Sequence, residues 1–200
     1  MKKAAGLLTV LLGLGLCGTA VRAQDPAKPA TAPAPTIASV LDKQLSIVEK
    51  EFVEAAEAMP EDKYSFAPTA GEFKGVRTFA EQVKHVGDSN YFFFDRMLGQ
   101  EAPSNPGENG PSSVKTKEQI LKYLRDSFAL GHRAIATITA ENAVTPLMDA
   151  SGKPLQGSLN TRLALASIGC WHTFDHYGQI VEYLRMNSIV PPASRPQPKK

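Results

Sequence analysis

The sequence predicts an all-α fold, a four-helix bundle, and three observations carry that expectation. Apolar residues recur at spacings of three and four through four long segments, the pattern of one helix face. No segment alternates apolar and polar residues with the period of two expected of a half-buried strand. Polar loops of about ten to twenty residues carrying Pro and Gly separate the four segments, so their apolar stripes can cover one another.

Taken in order, residues 1–23 have the form of a secretory signal peptide. Lys2 and Lys3 supply the positive start, and Ala4 to Leu16 is an almost unbroken apolar run, too short for a stable membrane anchor. Val21-Arg22-Ala23 offers a cleavage site, with cleavage after Ala23. The rival is a lipoprotein signal at Cys17, but Leu16 stands where a small residue is expected. Residues 24–35 (QDPAKPATAPAP) lack an apolar period and form an extended Pro/Ala-rich linker. The bundle follows at 36–190, and 191–200 (PPASRPQPKK) is a flexible tail.

The first helix is expected from Thr36 to Met59, with Ile37, Val40, Leu41, Leu45, Val48, Phe52 and Ala55 as its stripe and Pro60 as its stop. The second runs from Thr78 to Leu98, opened by a Thr78/Glu81 capping box, with Phe79, Val83, Val86, Phe93 and Met97 facing inward. The third runs from Thr116 to Thr139, opened by Thr116 and Gln119, on Ile120, Leu124, Phe128, Ile135 and Ile138. The fourth runs from Ser158 to Asn187. The loops Glu61 to Gly75 and Ala140 to Gly157 exceed the usual helix-to-helix length and are expected to cover one end of the bundle.

The whole chain carries 22 Lys+Arg against 20 Asp+Glu. Without Lys2, Lys3 and Arg22 the mature balance is 19 basic to 20 acidic residues, net −1. A near-neutral domain makes no electrostatic case for nucleic acid as a partner. Of two cysteines only Cys170 stays in the mature chain, so no internal disulfide can support the core. The sequence has no Gly-rich phosphate loop, haem-attachment motif or Ser/His/Asp spacing.

The candidate chemistry lies in WHTFDHYGQIVEYLRM. His172 and His176, four residues apart, share a helical stripe with Leu165, Ile168, Gln179 and Tyr183. Two stacked imidazoles among apolar residues each have a polar nitrogen to satisfy, and a metal ion satisfies both. His85 in the second helix could reach them across the bundle, and His132 in the third is the remaining histidine. At the level of the residues, a metal claw and ordinary buried histidines both stay open. Asp88 and Asp175, each three residues after a histidine, could orient a ligand, or Asp88 could close a site. The plainer alternative for both is a solvated helix carboxylate. Gln179 and Arg185 are candidates for the rim, with a surface salt bridge as the plain reading of Arg185. Cys170 reads as a small buried hydrophobe. Tyr91 to Phe94 wrap around their helix, so at least one ring should be exposed.

Three stretches together resemble a known family: FAEQVKHVGDSNYFFFDRMLG with its lone histidine, the HxxxH helix running into GQIVEYLRMNSIVPP, and the upstream MPEDKYSFAPTAGEFKGVRTFAEQVKH. They look like the DinB-like metal-binding superfamily, over about Ile37 to Pro192. The resemblance implies an up-up-down-down-like bundle and a divalent metal held by His85, His172 and His176; the sequence does not choose the ion, since three imidazoles suit zinc, nickel or iron, and copper as well. Many relatives carry a further histidine just before the second ligand of the helical pair; here that place is Asp175. Relatives are mostly cytoplasmic, whereas the leader of this chain implies a secreted or periplasmic protein without a stable membrane anchor. Two functions follow as expectations. One is a metal-dependent hydrolase or transferase acting on a small-molecule substrate, its catalytic residues unassigned. The other is a non-catalytic, metal-stabilised bundle serving as a binding or dimerisation module, here as a homodimer. Neutral imidazoles are needed for ligation, so release of metal is expected below about pH 6.

Overall fold

The computed structural model describes residues 34–100 and 108–196. The expected signal peptide at 1–23, most of the linker and the last residues of the tail lie outside the described residues.

Four helices form among the described residues; the second and third begin at the two expected capping boxes, and the first at a further one made by Thr36 and Ser39. α1 (Ile37–Ala58) is capped by Thr36, α2 (Phe79–Met97) by Thr78 with Glu81, and α3 (Lys117–Ile135) by Thr116 with Gln119. In each, the threonine hydroxyl accepts from the backbone N–H three residues on, and the residue there returns a side-chain bond, satisfying two otherwise orphaned donors. α4 (Arg162–Met186) starts after Thr161, whose hydroxyl accepts from Ala164 N–H. No strand forms among the described residues; two isolated bridges, Pro146 with Thr161 and Met148 with Pro154, tie the loop before α4.

Several limits differ from expectation. α3 stops at Ile135 and α4 starts at Arg162, because the chain between them folds on itself; Leu147 N–H, for example, donates to the Asn160 carbonyl. Ile138 stays buried without being helical. Ile37 and Val40 are exposed, so the buried stripe of α1 begins at Leu41. The first tail residues are ordered: Pro191 is buried and the 3-10 turn Pro192–Ser194 lies against α1.

The helix directions correct the implied topology. Lys117 Nζ donates to the carbonyls of Glu57 and Met59, and His132 meets Asp42 and Glu49, so α3 runs antiparallel to α1. Asp88 meets Tyr123 and Asn90 meets Ser127, so α2 and α3 run parallel. Gln82 meets Gln179 while Phe94 lies at Gly169, so α4 runs against α2. The order is up-down-down-up, not up-up-down-down. Two parallel neighbours need a long crossover, and the connection between α2 and α3 is that crossover. The two other long loops therefore cap opposite ends, not one. The loop after α1 stays at the α1 C-terminus, where Tyr64 O–H donates to the Ala56 carbonyl, and the loop before α4 lies at the other end.

The centre is filled by Phe94. Its ring stands where side chains at Gly131 and Gly169 would be, since a Cβ there would come within 2.6 and 2.7 Å of it. Glycine at both positions lets α3 and α4 approach α2, and a larger residue would overpack the core by about 1–3 kcal/mol.

Candidate metal centre

His172 and His176 project from one face of α4, and His85 projects toward them from antiparallel α2. Their ring centroids are 4.6 to 5.1 Å apart pairwise. One ligand atom from each lies within 4.8 Å of the others, a group that could hold a metal ion. His176 is buried, and His85 and His172 are half-buried. Phe93 closes one side, its ring 5.8 Å from that of His172.

Each imidazole is held differently. His85 Nδ1 lies 2.6 Å from the Glu108 carbonyl, which only accepts, so Nδ1 carries the hydrogen and Nε2 is free. That carbonyl arrives on the crossover loop, which touches α2 at Gly110. Gly110 has φ +69°, and a Cβ there would come within 2.7 Å of Lys84 Cβ, so glycine permits the approach. His176 Nδ1 lies 2.7 Å from Gln82 Oε1. His172 Nδ1 is buried with no hydrogen-bond partner among the described residues.

Burial and Arg77 lower the pKa of all three, and neighbouring rings add to this at His172 and His176. Burial is the largest cause for each. It lowers His85, pushes His172 down to about 4 with help from His85, and pushes His176 down to about 3 with help from His172 and His85. Asp175 opposes this only at His172. A set of neutral imidazoles with one orphaned buried nitrogen fits a divalent cation, which needs unprotonated nitrogen ligands.

The remaining candidates sort by position. Gln179 joins the site, donating to Asp175 Oδ2 at 3.2 Å and accepting from Gln82 Nε2 at 2.7 Å. Asp88 does not join it: its carboxylate accepts from Tyr123 O–H on α3 at 3.3 Å, and burial raises its pKa. His132 sits on the α1–α3 seam between Asp42 and Glu49. Arg185 pairs with Glu182 at 2.9 Å instead of lining the rim. Cys170 is buried, its thiol pushed up to about 11 by burial. Of the four aromatics at 91–94, Phe92 is the exposed one.

A cleft of about 770 Å³ opens beside the triad at the α1 C-terminal end. Gln82, Gln179, Arg77, Glu108, Phe73 and Tyr183 are among its lining residues. The first loop forms one wall, fixed by Tyr183 O–H donating to the Arg77 carbonyl at 3.0 Å. Sequence reasoning missed Gln82 and Glu108. Gln82 left a signal, a polar residue one turn before His85 between inward-facing Phe79 and Val83. Glu108 left none, because it acts through its backbone.

A family model described as the DinB superfamily matches residues 44–180. None of the curated proteins matches the chain.

Proposed function

The chain belongs to the DinB superfamily, and from that premise we propose that it is a secreted or periplasmic divalent-metal protein acting as a hydrolase or transferase on a small molecule. His85, His172 and His176 hold the ion. The observation that carries this reading is the convergence of three uncharged imidazoles, one with an unpartnered buried nitrogen, beside an open cleft.

Zinc, nickel and iron all suit an imidazole set. When bound, the ion supplies Lewis acidity without a proton donor. The chain's own groups do the rest. Burial keeps the ligands unprotonated at neutral pH, Gln82 and the Glu108 carbonyl orient two of the rings, and Phe93 shields a third. The cleft has the size of small-molecule sites, about 300–1,000 Å³. Phe73, Val76 and Met186 offer an apolar wall, and Gln82, Gln179 and Asn109 offer polar contacts. Among the described residues the cluster contains three ligands, not the four that usually close a structural zinc site, which favours the reactive reading.

The test is elemental analysis of purified protein and of His176→Ala. Wild type should carry about one divalent ion per chain and the variant almost none; equal loads would remove the site. Chelation that unfolds the protein would favour the metal-stabilised binding module instead.

A further inference from the structure

His176 is oriented by a run of side chains. Its Nδ1 meets Gln82 Oε1 at 2.7 Å, Gln82 Nε2 donates to Gln179 Oε1 at 2.7 Å, and Gln179 Nε2 donates to Asp175 Oδ2 at 3.2 Å. Each carboxamide has one donor end and one accepting end, whereas a carboxylate only accepts. The direction of the whole run is therefore set at its far end. Asp175 forces Gln179 to present its NH2 outward and its oxygen inward. That oxygen forces Gln82 to donate to Gln179, which leaves Gln82 Oε1 facing the imidazole. His176 Nδ1 must then carry the hydrogen, and Nε2 is left as a lone-pair donor. With both amides reversed, Gln82 would donate to Nδ1, and the hydrogen would sit on Nε2, where it blocks a cation.

We propose that Asp175, acting through Gln179 and Gln82, is the positioning residue that holds His176 in its Nδ1–H tautomer and presents Nε2 to the triad. The value of that tautomer for ligation rests on the metal reading above; the tautomer itself does not. Asp175 is exposed and Gln179 half-buried, whereas Gln82 is buried, so the run reaches from solvent to the ring. It gives a purpose to the aspartate next to the second ligand of the pair. His85 needs no such device, because the backbone carbonyl of Glu108 fixes its hydrogen directly.

The experiment uses the full mature chain with labelled histidine. Nitrogen chemical shifts of the metal-free protein read the tautomer, and competition with a chromophoric chelator reads zinc affinity. Wild type should show His176 as Nδ1–H. Asp175→Asn keeps the shape but can donate, so the run loses its direction. It should show a mixed or Nε2–H tautomer and bind zinc about tenfold or more weakly. Asp175→Glu, which keeps an acceptor-only end, should restore both. Gln82→Leu should cut the run beside the ring and match Asp175→Asn in tautomer. The proposal is overturned if Asp175→Asn leaves His176 wholly Nδ1–H. It is equally overturned if the tautomer changes while a zinc-binding protein keeps its affinity within about twofold. If wild type takes up no zinc, the metal reading fails, and the tautomer comparison alone decides the role of Asp175.

Discussion

Two seams of the bundle treat histidine in opposite ways. On the α1–α3 seam, His132 Nδ1 lies 2.6 Å from Asp42 Oδ1 and Nε2 lies 2.9 Å from Glu49 Oε2. Both partners only accept, so both ring nitrogens must donate and the ring is an imidazolium. Burial works against that charge, but the hydrogen bonds and charges of Asp42 and Glu49 outweigh it, and the pKa is raised. On the α2–α4 seam no carboxylate among the described residues touches a ring nitrogen of the triad, and burial leaves His172 and His176 neutral. Both seams take their histidines out of water, more completely at His176 than at His132. What separates the charges, and with them fitness to bind a cation, is that carboxylates face both ring nitrogens of His132 and offset the cost of burial there, while burial goes unopposed at His176.

The two seams should differ most in metal uptake. His172→Ala should lower divalent-metal affinity at least about 100-fold, while His132→Ala leaves the metal load unchanged. Dialysis followed by elemental analysis checks both, and a loss in His132→Ala would undo the division of roles.

Acid should act next. In the metal-free protein, the folded pKa values of about 4 and about 3 at His172 and His176 lie below the unfolded value near 6.5. The unfolded chain then binds more protons across that window, so stability falls as pH drops from about 6.5 toward 3. Each imidazole contributes a slope of up to about 1.4 kcal/mol per pH unit. The same depression moves metal release below the pH of about 6 expected of ordinary imidazoles, because protons compete later. Metal lost fully at pH 6 would contradict the lowered values.

A smaller step is to make one seam resemble the other. Gln82→Glu places a carboxylate on His176 as Asp42 stands on His132, and its pKa should rise in an NMR titration. No rise would mean that burial alone sets the charge.

The smallest effect is on the seam without the triad. The raised pKa of His132 gives stability that is fully present below about pH 6.5 and lost as pH rises through the folded value. His132→Gln should therefore cost about 1 kcal/mol at pH 5.5 and much less at pH 9, read by urea denaturation. A gap that widens with pH would reverse the sign.

Much of this was legible along the chain, because it depends on neighbours in sequence. Helical periodicity and the Thr78/Glu81 and Thr116/Gln119 boxes marked where helices start, since these contacts close within one turn. The i, i+4 spacing put His172 and His176 on one face. The sequence also brought His85 forward as their partner ahead of His132, through the family resemblance of the stretch around it. The helix directions were not legible in the same way, and they set His85 against α4 and His132 against α1. Those directions, up-down-down-up, depend on how a crossover loop packs, and a step such as the Gly110 approach to Lys84 leaves no periodic trace. By itself the sequence determined the four helices, their caps and the paired histidines, since local hydrogen bonds and apolar spacing specify these. Tertiary structure alone decided the order of helix directions, the role of the Glu108 carbonyl, and the run from Asp175 to His176, because each depends on contacts between residues far apart in the chain.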